Sequence, residues 1–170
     1  MADLGPWALG DTLRGFIQTV DANGQDTDAD AAPTFRIYGP SGYLGVQGTS
    51  SFFESGSVTG ATNAAPIVIT STAHGLTTGQ RVTISGVLGN TAANGTFTII
   101  RIDANTFSLN GTTGNGAYTS GGTWHTSGWY KYEPAIAGGS GFETGKSYEG
   151  RVQGVIGGTA VVDIDTFWVV

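Results

Sequence analysis

No window of this 170-residue chain sustains the i, i+3, i+4, i+7 apolar spacing of an amphipathic helix. Its apolar residues come in short alternating runs, many of them β-branched or aromatic, and that pattern restricts the chain to strands and turns. Glycine supplies the punctuation. There are 29 glycines, against an average share of about 7%, and they stand between the apolar runs without a three-residue period, which excludes collagen and predicts many tight turns.

Residues 12–20, 34–38 and 43–47 read as strands, the second with Phe35 and Ile37 on one face and the turn Gly39-Pro40-Ser41-Gly42 after it. Towards the other end, residues 129–132 alternate Trp129 and Lys131 against Tyr130 and Tyr132. Residues 148–156 set Tyr148, Val152 and Ile156 against Glu149, Arg151 and Gln153, and residues 160–170 set Val162, Ile164 and Trp168 against Asp163 and Asp165.

The middle differs in kind. Between Asn63 and Thr123 only Arg81, Arg101 and Asp103 are charged, a net of +1, so the flanks carry −7 against a total of −6. Strands are expected at 66–69, 81–84, 96–100 and 106–109, separated by turn signals at Gly75, Gly79, Gly86, Gly89-Asn90, Asn94-Gly95 and 114–116. Several strands in so short a segment make a small barrel or tightly curled sheet. Neither flank alone has enough strands for a two-sheet core. The expected fold is therefore all-β: an immunoglobulin-like β-sandwich from residues 1–62 plus 124–170, with an inserted small β-barrel at 63–123.

Composition narrows the chemistry. The absence of cysteine removes disulfides, thiolate metal sites and cysteine nucleophiles. No run approaches the roughly 20 apolar residues that span a bilayer, so no membrane partner is expected. The net charge of −6, with 7 Lys and Arg in all, disfavours nucleic acid, whose affinity rests on neutralised phosphates.

Five candidate sites follow from local patterns. The stretch GFETGKSYEG at 141–150 suggests a phosphate loop, but the first glycine of G-x-x-x-x-G-K-[ST] would fall on Ser140, and a strand rather than a helix follows Ser147. It is expected to be the turn into the penultimate strand, bent at Gly145. The acidic run offers Asp21, Asn23, Asp26, Asp28 and Asp30 as oxygen ligands for calcium. Its spacing departs from the helix-loop-helix calcium loop, which would place its glycine at Asp26 and its glutamate at Ala32, so a solvated hairpin turn is the expected reading.

His74 and His125 stand apart, without G-x-S-x-G or H-E-x-x-H, and read as a turn residue and a surface residue. Glu133, Glu143 and Glu149 are near in sequence, but nothing sets a pair across a cleft. No catalytic residue, no cofactor and no enzyme activity are expected. The aromatic cluster is the remaining signal: Phe52, Phe53, Trp124, Trp129, Tyr130 and Tyr132 are expected to supply an interface, with burial in the sandwich core as the competing reading, foremost for Trp129 and Trp168.

Residues 69–109, through His74-Gly75-Leu76, Gly79, Val82, Ile84-Ser85-Gly86, Asn94-Gly95-Thr96-Phe97 and Thr106-Phe107-Ser108-Leu109, resemble the first catalytic cysteine half-domain of ubiquitin-activating enzymes, in the form that recurs in bacteriophage structural proteins. The flanks, DTLRGFIQTVDANG, PTFRIYGPSG and the closing residues 141–170, look like the immunoglobulin-like domain of phage baseplate, tail-fibre and small head or tail proteins. The resemblance implies a fold and a virion location, without the enzyme's activity. A short chain ending directly after its last strand is expected to be a multi-copy capsid decoration or cement protein, or a short head spike. The alternative is a tail, baseplate or fibre accessory protein that binds host-surface glycan. Partners implied are other virion proteins, the major capsid protein or tail components, and further copies of the chain.

Overall fold

The computed structural model describes residues 3–137 and 139–170. Among these residues the regular structure is all-β, apart from one three-residue 3-10 turn at Thr91–Ala93. The chain begins with β1 (Asp3–Trp7), β2 (Gly15–Gln18), β3 (Thr34–Gly39) and β4 (Gly42–Thr49). There follow β5 (Ser51–Phe52), β6 (Ser55–Ser57), β7 (Gly60–Ala61), β8 (Ile67–Thr70), β9 (Arg81–Ser85), β10 (Gly95–Arg101), β11 (Thr106–Leu109) and β12 (Thr123–Thr126). The last three are β13 (Trp129–Tyr132), β14 (Ser147–Ile156) and β15 (Thr159–Val169). The chain divides into two compact units, one formed by the residues up to Ser51 with Gly128–Val170, the other by Phe52–Ser127.

The first unit is a two-sheet sandwich. One sheet has five strands in the order β1-β15-β14-β3-β4, with β1 parallel to β15 and the other neighbours antiparallel. Facing it, β2 pairs antiparallel with β13. Strands β15, β14, β3 and β4 thus take the places of G, F, C and C′ of an immunoglobulin domain, and β2 and β13 those of B and E. The barrel occupies the connection between C′ and E. β1 has no counterpart among the strands expected from sequence, because Gly5 and Pro6 break the alternation that marks the others.

Two features identify the sandwich more closely. Tyr148, next to the start of β14, turns its hydroxyl back to the preceding corner: it accepts from the Glu143 amide at 2.6 Å and donates to the Glu143 carbonyl at 3.3 Å. That is the tyrosine corner of the immunoglobulin fold, and it lies in the stretch that imitates a phosphate loop. Gly145 supplies the bend at φ +79. Two residues beyond such a tyrosine, immunoglobulin domains place a disulfide cysteine; here the residue is Gly150. A Cβ on Gly150 would lie 2.6 Å from the Tyr132 hydroxyl, and one on Gly15 would lie 2.1 Å from the same ring. The tyrosine fills the space between the sheets, stacked on Phe35 at 5.3 Å.

The second unit is a seven-stranded sheet in the order β6-β12-β9-β10-β11-β8-β7. Its two edge strands are separated in sequence only by Val58 and Thr59, so the sheet must curl until its edges nearly meet. Val58 donates its amide to Gly122 on one side and Thr59 donates to Thr70 on the other, which fixes that closure. Ile67, Ile69, Val82, Ile84, Ile99, Phe107, Leu109 and Trp124 fill the interior. The expected seams at 62/63 and 123/124 both fall inside this unit, because the short strands β6, β7 and β12 pair with barrel strands.

Candidate functional site

Three of the six aromatic residues expected at an interface lie in cores. Trp124 is 2% exposed and donates its indole N–H to Ser71 Oγ at 2.8 Å, in space left by Gly56. Tyr130 and Tyr132 are buried in the sandwich, where Tyr130 receives the Ala29 amide at 2.9 Å. These side chains are closed to a partner, a correction to the sequence expectation. Lys131 explains the facing: it shares an alternation face with Trp129, so that face turns to water and the tyrosines turn in.

Phe52 and Phe53 are half-buried, and Phe52 stacks on His125 with ring centroids 3.6 Å apart. Trp129 is also half-buried, its N–H directed to Asp26 Oδ2 at 3.2 Å. The alternative reading of Trp168 as core is also corrected, since it is 37% exposed. Phe167 and Val169 set the register of β15, which turns Val162 and Trp168 outward and carries Asp165 into the core.

The acidic run does not converge on a cation. Asp21 accepts the Asn23 and Gln25 amides, a local turn cap. Asp26 accepts from Gln18 and Trp129, Asp28 from the Gly128 amide, and Asp30 from the Gly157 and Gly158 amides. Asp26, Asp28 and Asp30 thus each tie a different pair of segments within the sandwich while Asp21 caps its own turn, and among the described residues no cluster suited to a metal ion forms. This corrects the calcium candidate.

His74 is buried rather than merely in a turn. Its Nδ1 accepts the Leu76 amide at 3.0 Å, so Nε2 carries the proton and donates to the Asp103 carbonyl at 3.0 Å. Its ring meets Phe107 edge-on at 5.1 Å. Glu133 pairs with Arg14 and Lys131, and Glu149 with Arg151, so these carboxylates serve surface ion pairs.

The side chains with the most unspent chemistry lie on the outward face of the five-stranded sheet. Strand register sets Tyr43 opposite Tyr38, Tyr38 opposite Glu149, and Glu149 opposite Thr166. In the next row Gln47 lies opposite Arg36, and Arg36 opposite Arg151. The Arg151 guanidinium lies 4.5 Å from the Tyr38 ring centre and that of Arg36 lies 6.0 Å from the Tyr43 ring centre. Arg151 also donates through Nη2 to Glu149 at 2.9 Å. A hollow of about 430 Å³ is lined by Tyr38, Glu149, Arg151, Thr166 and the 39–42 turn, and another of about 300 Å³ by Arg36, Gln47 and Thr49. Alternation in sequence turns these residues outward, but only the register, which sequence does not provide, brings the arginines together.

Residues 65–127 match the ubiquitin-activating enzyme E1 FCCH domain, a span that contains β8 to β12. No curated protein matches the chain in sequence. Among solved structures the chain is similar to the phage phi92 endosialidase at 16% identity, covering 95% of this chain and 26% of that one, with a TM-score of 0.32. It is also similar to ACE19, the collagen binding subdomain of the Enterococcus faecalis surface protein ACE, at 12% identity, 98% and 92% coverage and a TM-score of 0.24. The chain is an all-β protein with an FCCH-type barrel.

Proposed function

We propose that this protein is a non-enzymatic structural component of a bacteriophage particle, present in many copies as a capsid decoration or cement protein. The observation that carries the reading is an FCCH-type barrel set into the C′–E connection of an immunoglobulin-like sandwich. The barrel sequence resembles the form that recurs in phage structural proteins, and the flanking strands resemble virion immunoglobulin-like modules. The sandwich would seat on other virion proteins through outward side chains such as Trp168 and Val162. Its acidic charge would keep crowded copies from adsorbing nucleic acid.

A second reading, a tail or baseplate accessory that engages host-surface glycan, is favoured by the tyrosine and arginine face described above. Copy number separates the two: quantitative gels of purified particles should give hundreds of copies for a shell protein and a few for a tail piece. Absence of the chain from purified particles would overturn both.

A further inference from the structure

Within the second unit Glu54, Asp103, Arg81 and Arg101 cancel, so the whole net charge of −6 belongs to the sandwich. Against that background the outer face around Arg36 and Arg151 is a reversal of sign. Like charges directly opposite on neighbouring strands destabilise a sheet. Glu149 offsets one of them through Arg151, whereas among the described residues Arg36 has no carboxylate partner and lies beside the Tyr43 ring. The Arg151 guanidinium is held over the Tyr38 ring at 4.5 Å, and that of Arg36 lies at the edge of the same kind of contact, 6.0 Å from the Tyr43 ring centre.

We propose that this face binds a carboxylate-bearing saccharide, with Arg36 as the fork for the carboxylate, Arg151 beside it, and Tyr38 and Tyr43 as the platform for the sugar ring. A guanidinium fork matches a planar carboxylate through two parallel hydrogen bonds. The neighbouring hollows are shallow and mixed in character, bordered by the hydroxyls of Thr166, Tyr38 and Thr49 and the amide of Gln47. Such borders suit a hydroxyl-rich ring better than the apolar side chains by which peptides anchor. A nucleic acid is disfavoured by the charge of the surrounding unit. This site rests on the glycan-binding reading above and names its sugar class; binding of the neutral sugar alone would leave that reading standing while excluding the carboxylate.

The test is titration of the full-length protein with oligogalacturonate, followed by amide chemical shifts, alongside a neutral galacto-oligosaccharide of equal length and oligoglutamate. The acidic sugar should shift amides of β3 and β14, with the neutral sugar and the peptide at least about tenfold weaker, the effect of one charge-assisted contact. Arg36→Gln should weaken oligogalacturonate binding about tenfold, Arg36→Lys should give an intermediate loss, and Arg14→Gln, an exposed charge elsewhere on the sandwich, should change nothing. Unchanged thermal melting of the variants confirms that they fold. The proposal is overturned by equal binding of the neutral sugar, by equal or tighter binding of oligoglutamate, by indifference to Arg36→Gln, or by no shifts with wild-type protein at millimolar sugar.

Discussion

The Tyr132 hydroxyl donates to a carboxylate oxygen of Asp165 across 2.7 Å, joining the two sheets of the sandwich at a point where both residues are almost fully buried. Gly15 and Gly150 leave room for the ring, and the register of β15 brings the carboxylate to it. Tyr132→Phe keeps the packing but removes the donor to a buried carboxylate. It should cost about 1.5–3 kcal/mol, read as a fall in the urea midpoint at constant slope. An unchanged midpoint would show that the contact contributes nothing net.

Alkaline stability follows from the same pair. Burial first, then the hydrogen bond and charge of Asp165, push the Tyr132 phenol far above its ordinary value, and burial raises Tyr130 as well. The unfolded chain releases these protons near about pH 10 while the folded chain retains them, so their stabilisation is fully present below that pH and lost as pH rises above it. Urea midpoints measured across this range should fall, and fall less steeply in Tyr132→Phe.

At the acid end, backbone hydrogen bonds from Asn105 and then contacts with Thr106 hold the Asp103 carboxyl below the usual range. Its contribution is present at neutral pH and disappears as pH falls through that depressed value. Asp103→Ala should flatten the acid limb of the barrel's melting profile; an identical limb would exclude this role.

The tyrosine corner yields a smaller effect. Tyr148→Phe leaves the ring stacked near Phe167, at 5.5 Å in the native chain, but removes the acceptor for the Glu143 amide. A loss of about 0.5–1.5 kcal/mol is expected, with hydrogen exchange at Glu143 rising first.

Much of this fold was legible in the sequence because alternation and glycine turns are local: 34–38, 81–84 and 106–109 reappear as β3, β9 and β11. What alternation leaves open is which face is inside. In β15 the aliphatic residues Val162 and Ile164 suggested a core face, but Phe167 and Val169 bury the other one and take Asp165 with them. Tyr132 reads as an interface residue until two glycines, distant in sequence, are seen to enclose it. The arginine pair is hidden for the same reason, since it depends on the register of β3 against β14.

The barrel should also stand alone. Residues 52–127 carry their own packed interior, so this segment expressed by itself should melt cooperatively and give dispersed amide shifts. Trp124→Ala within it should cost about 3–5 kcal/mol by leaving a large cavity. A disordered spectrum from the wild-type segment would refute this independence.

Strand β6 begins just after Phe52 and pairs with β12, which ends at Thr126, with Ser55 opposite His125. Once the barrel has formed, the sandwich no longer has to close a loop as long as the inserted sequence, only one of a few residues. Loop-closure entropy puts that difference at about 2–3 kcal/mol. The ladder between β6 and β12 therefore acts as a clasp: with it closed, the chain between β3 and β14 is shortened by the length of the barrel segment.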